Sequence, residues 1–173
     1  MTAFAATLAV LVLAAGCASP PEDLERLYAR TLGELSGARL SDHSRTHQRS
    51  LDRVRSLAES GALEKPEDLF HAAAILSTSL DQADLELALE LARRASARGE
   101  PRASVVEADL TDQLLIRAGA PQRYGTQVAW SPVLEEWILY PVDPATTDDE
   151  RRAMGLPGLA ELRERAQGLA SER

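Results

Sequence analysis

The sequence predicts a mainly α fold, an antiparallel helical hairpin array with a small C-terminal β-hairpin and two short terminal helices. Three observations predict it. Ala and Leu dominate a chain of 173 residues that is 45% hydrophobic and only 4% aromatic, a composition of helical bundles and not of β-sandwiches. Up to about residue 118, apolar residues recur at helical spacing. Beyond Pro121 the pattern changes, with Tyr124, Trp130, Trp137 and Tyr140 falling close together beside Val128, Val133, Ile138 and Val142, residues that favour strands.

Taken in order, residues 3–15 carry no charge and are too few to span roughly 30 Å of hydrocarbon as a helix. They fit the apolar part of a signal peptide. Leu13-Ala14-Ala15-Gly16-Cys17 follows and resembles the lipobox of bacterial lipoprotein precursors, although Ala14 stands where Leu is preferred and no basic residue precedes the apolar run. The resemblance implies cleavage before Cys17, a diacylglyceryl group on its sulfur, further acylation by fatty acids such as palmitate, and a place in the cell envelope on a bacterial membrane, facing outside the cytoplasm. The chain then divides into a signal peptide (1–16), a tether (17–22) containing Pro20-Pro21, and a single helical domain (23–173).

Within that domain, Leu24, Leu27, Tyr28 and Leu32 predict a helix over 23–36. Leu51, Val54 and Leu57 predict one over 41–60, capped by Ser41 and ended by Gly61. Pro66 opens a third through Leu69, Phe70 and Leu76. Asp81 caps a fourth over 82–98, and Pro101 opens a fifth that Gly119 closes. The short joints predict antiparallel neighbours. Ser131-Pro132 marks a turn between strands within 125–141. Thr147-Asp148-Asp149-Glu150 has capping-box spacing, and Pro157 begins a last helix through Leu159, Leu162, Ala166 and Leu169.

The net charge of −8 repels polyanions, which excludes nucleic acid as a partner. A single Cys makes no internal disulfide, and no HExxH, G-x-S-x-G, phosphate-loop or paired-Cys motif is present. No cofactor and no metal is expected. His43 and His47, four apart, can reach one ion, but two ligands do not make a site, and their very polar surroundings read as a solvated helix face. His71 sits in an apolar helix and needs a partner, while Asp109 and Asp112 lie on or beside the packing face of the fifth helix. Such a set serves general acid–base chemistry or a structural latch, and the latch is the favoured reading. Gln122-Arg123-Tyr124-Gly125-Thr126-Gln127 is the densest polar motif; its amides, phenol and hydroxyl offer donors and acceptors for backbone or a polar ligand, but no base.

Around this motif the chain resembles an uncharacterised family of bacterial proteins, often secreted or lipid-anchored, with a Gln-x-aromatic-Gly-Thr-Gln element after a helical region. His71-Ala72-Ala73 resembles the family's His-Ala-Ala helix, Asp112 its Asp before the motif, and Gln122, Tyr124, Gly125, Thr126 and Gln127 the motif itself. Trp137, Pro141-Val142-Asp143, Thr147-Asp148, Arg151 or Arg152 and Gly155-Leu156-Pro157 resemble its tail. Ser77-Thr78-Ser79 and Asp112-Gln113 depart from the family's Gln-His-Gly and Asp-Arg. The resemblance implies architecture and candidate positions, and no reaction.

Three functions compete: a lipid-anchored module that binds a protein or peptide, a hydrolase using His71 with Asp109 or Asp112, and an immunity-like acidic protein that neutralises a basic partner.

Overall fold

The apolar stripes and cap residues of the sequence reappear as helices in the computed structural model, which describes residues 24–35 and 40–169, with side chains at 24–33 and from 45 onwards. Cys17, the signal peptide and the tether lie outside the described residues, as does the side chain of His43. The helices of the array are α1 (Leu24–Leu35), α2 (Leu40–Glu59), α3 (Pro66–Leu76), α4 (Gln82–Ala97) and α5 (Ala103–Arg117). Pro66 stands in the first turn of α3, and the Asp81 side chain accepts from Ala83 N at 2.8 Å to cap α4. Gly61, Gly99 and Gly119 follow α2, α4 and α5 at positive φ, the left-handed exit that glycine makes without strain.

A two-stranded antiparallel hairpin follows, β1 (Val128–Ser131) paired with β2 (Glu136–Leu139) with Trp130 opposite Trp137. Two short helices, α6 (Asp148–Ala153) and α7 (Leu159–Gly168), complete the chain. Helix α2 begins at Leu40, so Ser41 lies inside its first turn and does not cap it, and other boundaries differ from expectation as well. The hairpin turn covers 132–135, with Glu135 at φ 53°, so the strands are shorter than 125–141. Helix α5 begins at Ala103 rather than Pro101, because Glu100 accepts the Arg102 N–H on its side chain and the Ala103 N–H on its carbonyl. Helix α7 begins at Leu159 rather than Pro157, because Asp148 reaches across from α6 to accept the Leu159 N–H at 2.9 Å.

The apolar core belongs to the array. Leu24, Leu51, Val54, Leu57, Leu69, Ile75, Leu76, Leu85, Leu91 and Leu110 are buried in one cluster together with small alanines, and α3 packs against α1, α2, α4 and α5. Beyond Leu110 the buried apolar residues are Tyr124 and Ala166 alone among the described ones, whereas Asp112, Gln122, Thr146 and Arg151 are also buried. Polar groups therefore fill much of the interior of the C-terminal segment, and among them Asp112 of α5 joins it to the array. Among the described residues no helix is long and apolar enough to cross a membrane.

Candidate functional site

Asp112 lies in the last half of α5 with no exposed surface, and the chain turns back over it after Pro121. Four successive backbone N–H groups converge on its carboxylate. Arg123 and Tyr124 donate to Oδ1 at 2.7 and 2.9 Å, and Gly125 and Thr126 donate to Oδ2, both at 2.9 Å. The Thr126 hydroxyl adds a fifth bond at 2.9 Å. Consecutive amides that curl around an anion form a nest, and here the anion is the chain's own side chain. The curl requires Gly125, whose φ is +91° and whose missing Cβ would stand 3.3 Å from Leu162 Cδ1 of α7.

Gln122, equally buried, secures the next layer. Its amide nitrogen donates to Gln127 O and Tyr140 O at 3.1 and 2.9 Å, and its amide oxygen accepts from Gln127 N at 2.9 Å. Its backbone bridges to residue 142 through Gln122 N to Pro141 O and Asp143 N to Gln122 O. One side chain thus closes the loop 122–127 and ties it to the end of the hairpin. From α6, Arg151 is 1% exposed and donates to Tyr124 O, Thr146 O and Asp148 Oδ1 at 2.9, 2.9 and 3.0 Å. The α6 capping box formed by Thr147 and Glu150 is present as the sequence predicts.

Asp109 stands one helical turn before Asp112 and is only partly buried. Its Oδ1 accepts from Gln127 Nε2 at 2.5 Å and its Oδ2 from Gln113 Nε2 at 2.8 Å. Burial raises its pKa above the usual carboxylate range, the two amides oppose that shift, and the neighbouring Asp112 charge adds to it.

His71 does not join this group. It stacks on Tyr28 of α1 with ring centroids 4.9 Å apart and lies 5.3 Å from the Phe70 ring, and burial followed by the nearby Arg102 charge lowers its pKa. Arg102 covers the Phe70 ring at 4.3 Å, while Gln113 reaches toward Ser77 O at 3.5 Å. The level of Asp109–Gln113 is therefore at the far end of α3, six residues or roughly 9 Å of helix from His71. Among the described residues no carboxylate hydrogen-bonds to His71, so the acid–base pairing with Asp109 or Asp112 that the sequence allows is not assembled.

Two contacts escaped the sequence. His47 Nε2 lies 3.2 Å from the Thr78 hydroxyl, which donates to Ile75 O at 2.6 Å. That hydroxyl can then only accept from His47, so the imidazole does not activate it. Arg55 donates to both oxygens of Asp84 at 2.6 Å while Ser79 donates to the same carboxylate, joining α2 to the start of α4 and holding Asp84 below the usual carboxylate range. Both pairs are more than twenty residues apart in sequence, and no local spacing announces them.

Among the described residues no group of three or more His, Cys, Asp or Glu side chains can hold a metal ion. A cleft of about 460 Å³ lies beside the loop, lined by Thr111, Leu115, Arg123, Asp143, Thr146 and Glu150, with Arg123 and Glu150 paired at 3.0 Å. None of His71, Asp109, Asp112, Gln122 or Gln127 lines it. Compared with known proteins, the chain matches no family model, no curated protein and no solved structure.

Proposed function

We propose that this protein is a lipid-anchored, non-catalytic module of the bacterial cell envelope that binds a protein or peptide. The observation that supports it best is the commitment of Asp112, Gln122 and Thr126 to the fold. Asp112 faces five donors, Gln122 spends both ends of its amide, and the Thr126 hydroxyl donates to Asp112. An acid–base catalyst needs a group free to take or give a proton in reach of substrate, and these groups are spoken for. The Leu13-Ala14-Ala15-Gly16-Cys17 run supports the anchor, and at least two acyl chains on Cys17 would hold the chain stably on a membrane. Membership of the Gln-x-aromatic-Gly-Thr-Gln family is part of the same proposal; its support is that the motif residues Gln122, Gly125, Thr126 and Gln127 all serve one loop.

The test has two arms on the full chain expressed in a bacterium. Asp112→Ala is expected to lower the melting temperature by roughly 10 °C, whereas Cys17→Ser is expected to leave melting unchanged and move the protein from the membrane to the soluble fraction. Unaltered melting of Asp112→Ala would put the catalytic reading ahead. An equal membrane fraction for Cys17→Ser and wild type would remove the anchor.

A further inference from the structure

Most acids that the fold draws inward are neutralised in a visible way; Asp68, whose Oδ2 is buried without a hydrogen-bond partner among the described residues, and Asp109 are not. Asp84 faces the Arg55 fork, Glu100 faces Arg102 at 2.7 Å, and Asp112 sits in its nest of N–H groups. Asp109 faces the side-chain amides of Gln113 and Gln127 with the Thr126 hydroxyl nearby, and among the described residues no Arg, Lys or His forms an ion pair with it.

Counting valences shows what this spot still lacks. The Gln127 NH2 spends its two hydrogens on Asp109 Oδ1 and Thr126 Oγ1. The Gln113 NH2 directs its two toward Asp109 Oδ2 and Ser77 O. An amide whose nitrogen is spent has only its carbonyl oxygen left to offer, and neither Oε1 accepts a hydrogen bond from a described residue. Covalent geometry keeps each Oε1 within about 5 Å of the Asp109 oxygens. The surface around Asp109, partly open like Gln113 and Gln127 themselves, is thus made of acceptors around an uncompensated negative charge. Such a set recognises a cation that carries several N–H donors.

We propose that Asp109, with the amide oxygens of Gln113 and Gln127, is a subsite for a guanidinium or alkylammonium group. This deepens the binding-module reading by naming the chemistry the module takes up, and it fails separately from the anchor and from the Asp112 nest.

The experiment follows the side-chain amide resonances of Gln113 and Gln127 by NMR in the folded protein. Probes are N-acetyl-arginine amide, N-acetyl-lysine amide and the neutral isostere N-acetyl-citrulline amide, each also placed at the centre of an uncharged hexapeptide. The cationic probes are expected to shift both amides saturably, the citrulline probes to leave them in place, and Asp109→Asn to weaken the cations by about tenfold or more. A free cation as tight as its peptide assigns the subsite to a small amine, and a tighter peptide assigns it to the side chain of a partner. Gln113→Lys gives a second reading, since a Lys four residues after an Asp places an ammonium on it from within the helix; this variant is expected to melt higher and to ignore added cation. Equal shifts from citrulline, undiminished binding by Asp109→Asn, or no saturable shift from any cation would overturn the proposal.

Discussion

The described residues up to 110 close around Leu, Ile, Val and Ala side chains, whereas residues 121–169 bury little apolar surface, are fixed to the array through Asp112 and Asp109 of α5, and are held together internally by Gln122 and Arg151. The difference lies in how each region tolerates error. Apolar contacts are non-directional and scale with area, so the array can absorb a change of shape by repacking. The C-terminal segment hangs on donors aimed at named oxygens, and removing one acceptor strands several N–H groups at once.

Four substitutions sharpen that contrast. Asp112→Ala leaves four backbone donors and one hydroxyl without their acceptor and is expected to cost about 4 kcal/mol even after water enters; hydrogen exchange should lose protection at 122–142 first, with the array still protected. Uniform loss of protection through α3 and α4 would break the comparison. Leu85→Ala, in the core of α4, is expected to cost about 3 kcal/mol, with protection falling across the array as one unit in denaturant titrations followed residue by residue. Arg151→Met removes the donors to Tyr124 O and Thr146 O and is expected to cost about 2 kcal/mol, loosening 121–169 without altering exchange in α4. Thr147→Ala removes the α6 cap for about 1 kcal/mol, seen as a melting temperature lower by a few degrees. A larger effect than that of Arg151→Met would mean that α6 itself, rather than its arginine, holds the C-terminal segment together.

How much of this was legible follows the same line. The helices declared themselves because cap and stop residues lie beside the stripes they bound: Pro66, Asp81 and Gly119 act on their own chain neighbours. The loop motif was visible as a dense polar run, and Asp112 as a carboxylate needing a partner. That the partners would be four backbone N–H groups was not visible, since amides are present at nearly every residue and only the curl at Gly125 aims them. His71 misled because burial alone does not say what an imidazole meets; it meets the Tyr28 ring. The start of α7 was misplaced because its cap is a side chain eleven residues away, Asp148.

Asp109 and Asp112 stand on one helix, a single turn apart, and the same change at each tests the account most directly. Asn at 112 points an NH2 at a nest of N–H donors, so Asp112→Asn is expected to melt well below wild type, with the loss confined to residues 121–169 by hydrogen exchange. At 109 the neighbouring amides can reorient around Asn. The sign of the pH effect is also fixed, because a carboxyl whose folded pKa is raised by burial makes the native state gain stability as pH falls from that raised value toward the unfolded value near 3.9, and lose it in the other direction. Asp109→Asn is therefore expected to remove this pH dependence and to melt at or above wild type at pH 7. If the two variants melt alike, the nest at Asp112 does not hold the C-terminal segment, and the account is wrong.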